Sequence, residues 1–122
     1  MNVAVCDDEK KTREQIVAMI KEQYSDAKIS CFTTAEEMIA GRGFFDICFL
    51  DIEMGSVSGI ELAKRIRKVQ GNSGKRSIII FVTAFREYME AEEFVNIDNP
   101  YDNAIYRLPK RPFKNKKPEA NE

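Results

Sequence analysis

Ile78, Ile79, Ile80, Phe81 and Val82 form the stretch that most restricts the fold of this chain. A continuous run of β-branched and aromatic residues has no polar face, so as a strand it must be covered on both sides. Such strands lie inside parallel sheets with helices on each face, and the rest of the sequence supplies the elements this requires. Val3 to Cys6, Ile29 to Phe32 and Ile47 to Leu50 are further short apolar runs, read as strands. Between them, Thr12 to Tyr24 carries Ile16, Met19, Ile20 and Gln23 or Tyr24 at helical spacing. Gly59 to Val69 likewise places Leu62, Ala63, Ile66 and Val69 on one helix face. Thr33 and Thr34, followed by Glu36 and Glu37, offer two overlapping capping boxes before Met38 and Ile39, which predicts another helix. A fourth helix over Arg86 to Phe94 has a thin stripe, Val95 to Asn103 reads as a loop, and Ala104 to Leu108 as a fifth strand. Strict alternation of strand and helix predicts an α/β, doubly wound, mostly parallel sheet with right-handed crossovers.

The chain has 122 residues, enough for one domain with a proper core. Nineteen basic and twenty acidic residues leave a formal charge of -1, so no global field draws nucleic acid or an acidic membrane. The basic residues gather toward the C-terminus, at Arg107, Lys110, Arg111, Lys114, Lys116 and Lys117, without a recognition helix. Direct nucleic-acid binding by this chain is therefore not expected. Cys6, Cys31 and Cys48 each lie in or beside an apolar run and read as buried core. An odd cysteine count, with no signal peptide and no apolar stretch of membrane length, predicts a cytoplasmic location. There is no histidine, which removes His-based general bases, nucleophilic triads and the usual zinc sites together.

In sheets of this kind, sites form beyond the C-terminal ends of the strands. Asp7 and Asp8 follow the first strand, Asp51 ends the third, and Thr83 ends the fourth. Taken alone, Asp7 and Asp8 read as N-caps of the first helix and Asp51 as a turn residue. Together they pose an electrostatic problem, because two carboxylates 4 Å apart repel by about 4 kcal/mol at an effective dielectric of 20. Either one acid stays protonated or a divalent cation sits among them. Oxygen ligands without His or Cys suit Mg²⁺. A carboxylate beside Mg²⁺ can attack phosphorus to give an acyl phosphate, with a hydroxyl and a lysine to bind it; Thr83 and Lys110 are the candidates.

The segments VAVCDDE at 3 to 9, FLDIEMGSVSGIELAKRIR at 49 to 67, IIIFVTA at 78 to 84 and AIYRLPK at 104 to 110 closely resemble the receiver domain of two-component response regulators. Within that family FLDIEM and GIELAKRIR look most like receivers of the LytTR class of transcription regulators. The resemblance runs from residue 1 to about 113 and leaves 114 to 122 as a polar tail or the start of a linker. It implies a flavodoxin-like five-stranded sheet of order 2-1-3-4-5. It implies that Asp51 accepts a phosphoryl group from a sensor histidine kinase, with Asp8, Asp51 and the Glu53 backbone carbonyl on Mg²⁺ and Asp7 reaching it through water. Thr83 and Lys110 would hold the phosphoryl oxygens, and Ala84 would leave access to them. The chain would then be a switch, not a turnover enzyme.

The sequence departs from the family in places. Gly55 replaces the usual proline four residues after the acceptor, and Gly59 keeps the later turn into the helix. Lys110 is followed by Arg111 before Pro112, so the cis Lys-Pro bond is impossible. Arg107 stands where receivers carry a switching Tyr or Phe, with Tyr106 beside it unless a bulge re-aims the strand. The residues after Phe113 are too few and polar for the usual fifth helix, so a homodimer partner or an output domain is expected to cover that face. The competing readings are a degenerate receiver serving as a constitutive binding module and a phosphatase of the haloacid dehalogenase type.

Overall fold

A computed structural model describes residues 1–41, 43–71, 74–83 and 103–107. The described elements are β1 (Asn2–Cys6), α1 (Lys10–Gln23), β2 (Lys28–Phe32), α2 (Ala35–Gly41), β3 (Ile47–Asp51), α3 (Gly59–Gln70), β4 (Ile78–Thr83) and β5 (Asn103–Arg107). The strands form one five-stranded sheet of order β2-β1-β3-β4-β5. Every neighbouring pair is parallel. This is the doubly wound, flavodoxin-like order expected from the sequence. The fourth helix expected over Arg86 to Phe94, most of the following loop, the tail and the question of a fifth helix lie outside the described residues.

The period of two in each strand divides the core between the two sheet faces. Ala4, Cys6, Cys48, Leu50, Ile79 and Phe81 pack with Met38 of α2 and Leu62 and Ala63 of α3. Val3, Val5, Phe49 and Val82 point the other way and pack with Ile16 and Ile20 of α1. In β4, Ile79, Phe81 and Val82 are buried as expected, while Ile78 is 46% exposed.

The helix starts show which local signals prevailed. At α2 the second capping box forms: the Thr34 hydroxyl accepts from the Glu37 N–H at 3.0 Å, and the Glu37 carboxylate accepts from the Thr33 N–H at 2.7 Å. Glu36 instead accepts from the Ser56 hydroxyl at 3.0 Å, tying α2 to the β3–α3 loop. Ser58 caps α3 by accepting from the Glu61 N–H at 3.1 Å. At α1 the N-cap position is Glu9, whose side chain makes no cap hydrogen bond. The reading of Asp7 and Asp8 as the N-cap pair therefore fails.

Two burial expectations are also corrected. Cys31 is exposed, because β2 is an outer strand of the sheet. Val69 is 87% exposed, and the α3 core position is taken by Arg67 at 1% exposure. The Arg67 guanidinium donates to the Ser77 carbonyl at 2.7 Å and to Gln70 Oε1 at 3.3 Å, so its charge enters the core already hydrogen-bonded.

Candidate phosphoacceptor and metal site

Parallel register builds the site. Cys6 pairs with Leu50, so Asp7 and Asp51 follow at the next step of adjacent strands. Asp51 in turn pairs with Val82, which sets Thr83 one residue beyond on β4. One ligand oxygen from each of Asp7, Asp8 and Asp51 lies within 4.8 Å of the others. Asp7 is buried, Asp51 half-buried and Asp8 exposed.

Local hydrogen bonds aim the carboxylates. Asp7 Oδ1 accepts from the Glu9 N–H at 2.9 Å, and the Asp7 N–H donates to the Phe32 carbonyl at 3.0 Å. Arg13, one turn into α1, donates from Nη1 to the Asp7 carbonyl at 2.8 Å and holds the β1–α1 turn against the helix. Asp51 Oδ1 accepts from the Glu53 N–H at 3.3 Å. The loop carrying Glu53 is pinned from both sides: Ile52 and Met54 are buried, the Ile52 N–H donates to the Val82 carbonyl at 3.3 Å, and the Gly59 N–H donates to the Ile52 carbonyl at 3.0 Å. Gly55 has φ +55°, a left-handed backbone that glycine adopts without penalty, which accounts physically for glycine in place of proline.

Three carboxylates this close repel by about 3 kcal/mol per pair at an effective dielectric of 20, less where water screens Asp8. Their neighbours carry the imprint. Burial, reinforced by the charges of Asp7 and Asp51, pushes the Cys6 thiol up to about 12. Cys6 thus stays protonated, donating to the Thr34 carbonyl at 3.3 Å and lying 3.6 Å from the Met54 sulfur, and it supplies no thiolate to a metal. The donor set that remains is all oxygen and fits a hard divalent cation such as Mg²⁺.

Of the residues singled out from sequence, Asp7, Asp8 and Asp51 are brought together, and Glu53 stands on the loop hydrogen-bonded to Asp51. Thr83 ends β4 beside them in register, whereas Lys110 lies outside the described residues. Across β5 the pairing runs one-to-one from Ile79 with Asn103 to Thr83 with Arg107, so β5 contains no bulge to re-aim Tyr106. Sequence reasoning missed Arg13, whose only signal was its place one turn after the acidic pair.

A family model for the response regulator receiver domain matches residues 3–99. The chain belongs to that family. This receiver is 32% identical over 111 residues to the transcriptional regulatory protein BtsR of Escherichia coli K12, covering 85% of this chain and 44% of that protein. It is 27% identical over 90 residues to the sensory transduction protein LytT of Oceanobacillus iheyensis, covering 72% of this chain and 36% of that protein. The receiver thus spans less than half the length of these relatives, one of which bears out the likeness to the LytTR class. Among solved structures, response regulator TrrA of Thermotoga maritima, in complex with Mg²⁺-BeF, superposes with a TM-score of 0.70 at 25% identity, covering 95% of this chain and 93% of that one. Among the described residues, no helix is long and apolar enough to cross a membrane.

Proposed function

We propose that this receiver is a Mg²⁺-dependent phosphoryl switch in which Asp51 is the acceptor and a sensor histidine kinase the donor. The observation that carries this reading is the convergence of Asp7, Asp8 and Asp51 oxygens within 4.8 Å at the strand ends, in the family to which the chain belongs. The complex of TrrA with Mg²⁺-BeF supports the same cation here.

A carboxylate oxygen of Asp51 attacks the donor phosphorus as the bond from phosphorus to the donor imidazole breaks, leaving an acyl phosphate on Asp51. Asp8, Asp51 and the Glu53 carbonyl would hold Mg²⁺, with Asp7 reaching it through water, and the ion would offset charge on the transferring group. The Glu53 N–H donates to Asp51 Oδ1 at 3.3 Å and so orients the Asp51 carboxylate at the strand end. The Thr83 hydroxyl would donate to a phosphoryl oxygen, and Lys110 would neutralise another. The chain accepts one phosphoryl group and loses it slowly to water, so it acts as a signal and not as a turnover catalyst. Phosphorylation adds charge at the strand edge and biases a surface read by an output domain or a second copy of the chain.

The degenerate receiver remains the second reading, favoured by Arg107 in place of the switching aromatic and by its unbulged register opposite Thr83. Mg²⁺ titration followed by amide NMR separates the two. The switch requires saturable shifts confined to residues 7–9 and 51–54 and abolished by Asp8→Asn; a chain indifferent to Mg²⁺ is a binding module.

A further inference from the structure

The peptide unit joining Asp7 to Asp8 links two of the three carboxylates, and its oxygen is held from α1. Arg13 Nη1 donates to the Asp7 carbonyl at 2.8 Å from one turn into that helix. Because a peptide unit is planar, gripping this oxygen also sets the Asp8 N–H and Cα, which lie in the same plane. The residues on either side are anchored too. The Asp7 N–H donates to the Phe32 carbonyl at 3.0 Å, and Asp7 Oδ1 accepts from the Glu9 N–H at 2.9 Å. Thr12, which is buried, donates from its hydroxyl to Glu9 Oε1 at 2.7 Å. Asp7 is buried and Asp8 exposed, so packing fixes the first carboxylate, whereas the second depends on its backbone. A turn about the Asp7 Cα–C bond would carry Asp8 out of the cluster, and the Arg13 bond opposes that turn.

The guanidinium also brings a positive charge beside the cluster. Burial raises the Cys31 thiol from its ordinary 9.0 and the Arg13 charge draws it back. Glu37, held down first by hydrogen bonds from Thr33, is lowered further by Arg13. A cation in this place repels Mg²⁺, so the charge of Arg13 and its hydrogen bond act on metal affinity with opposite signs.

We infer that Arg13 is a positioning residue for the cation: through the Asp7 carbonyl it sets the placement of Asp8, and it thereby favours Mg²⁺ over Ca²⁺. The inference rests on the reading of Asp7, Asp8 and Asp51 as a Mg²⁺ site. Mg²⁺ demands near-ideal octahedral ligands at about 2.0–2.1 Å, while Ca²⁺ accepts flexible geometry at about 2.3–2.6 Å. A loosened Asp8 therefore costs Mg²⁺ more than Ca²⁺. Loss of the charge alone would instead strengthen both ions alike.

The test is titration of the whole chain with Mg²⁺, and separately with Ca²⁺, followed by amide NMR. The parent is compared with Arg13→Met, which keeps an aliphatic stem and removes both donor and charge. Both ions should give saturable shifts at residues 7–9 and 51–54 in the parent. Arg13→Met should weaken Mg²⁺ roughly tenfold and Ca²⁺ by no more than about threefold, with the amides of α3 and β4 unmoved before metal is added. Arg13→Lys, which keeps the charge and a donor on a shorter stem, should lose less Mg²⁺ affinity than Arg13→Met. Equal losses for the two ions, tighter Mg²⁺ binding, or unchanged Mg²⁺ affinity in Arg13→Met would overturn the role of Arg13 and leave the Mg²⁺ site standing. A parent whose residues 7–9 and 51–54 ignore Mg²⁺ would overturn the site itself, and the inference with it.

Discussion

Gly59 meets the Asp51 carbonyl with no room for a side chain: a Cβ on Gly59 would lie 2.8 Å from the Asp51 carbonyl carbon and 3.1 Å from Ile52 Cα. The start of α3 is thereby seated on the end of β3, and the Gly59 N–H closes the loop onto the Ile52 carbonyl. The same contact fixes the height at which the Asp51 carboxylate is presented. Gly59→Ala should lower stability by about 2 to 3 kcal/mol, because the clash is with backbone that cannot rotate away. Urea denaturation measures this; an unchanged midpoint would mean that α3 can slide without cost.

Arg67 is the second tertiary dependency. Arg67→Met keeps the buried aliphatic stem but removes the donor to the Ser77 carbonyl, and should cost about 2 kcal/mol. The loss should appear in the urea midpoint with Mg²⁺ binding at the distant edge retained. A neutral substitution would show that the hydrogen bond merely compensates for burying the charge.

The thiols predict both reactivity and alkaline behaviour. Cys6 and Cys48 are buried and Cys31 exposed, so one of the three thiols should react quickly with an aromatic disulfide reagent at pH 8. Burial holds Cys6 up at about 12 and Cys48 up at about 11, from an ordinary 9.0. The folded state therefore keeps protons that the unfolded chain gives up, and the stability they contribute is complete below pH 9 and lost as pH rises through 11 and 12. Cys48→Ala should flatten the alkaline fall in the denaturation midpoint. A steepness identical to the parent would contradict the assignment.

The cap of α2 carries an acid-side prediction. Hydrogen bonds from Thr33, first its N–H and then its hydroxyl, hold the Glu37 carboxyl below its ordinary 4.5. Its contribution is present above that value and disappears as pH falls through the lowered one. Glu37→Gln should make stability less dependent on pH in this range, and Thr34→Ala should cost about 1 kcal/mol at neutral pH. Parallel acid limbs for Glu37→Gln and the parent would exclude the mechanism.

How far the chain could be read depends on whether a signal is local. The runs at Val3, Ile29, Ile47 and Ile78 named strands because apolar continuity survives without knowing any partner. Asp7, Asp8 and Asp51 could be joined before the structure because parallel strands deliver their C-terminal ends to one edge. Cys31 was misjudged because a short apolar run does not reveal whether it becomes an inner or an outer strand. The burial of Arg67 had no local signal, because a charged residue on an amphipathic helix is buried only where something distant, here Ser77 and Gln70, receives its hydrogen bonds. Gly59 was recognisable as a turn residue, but its approach to Asp51 is a tertiary contact with no trace in the sequence around it. Glu9 displaced Asp7 and Asp8 from the cap because Asp7 bonds back to the Glu9 N–H, leaving the acidic pair at the strand edge.

The account stands on Asp51 as the nucleophile of a Mg²⁺-dependent switch, and intact mass after incubation with acetyl phosphate tests it most directly. The parent chain should gain the mass of one phosphoryl group with Mg²⁺ present and none after chelation, and Asp51→Asn should gain nothing in either condition. A gain that persists in Asp51→Asn, or a parent chain that stays unmodified with Mg²⁺ present, would contradict it.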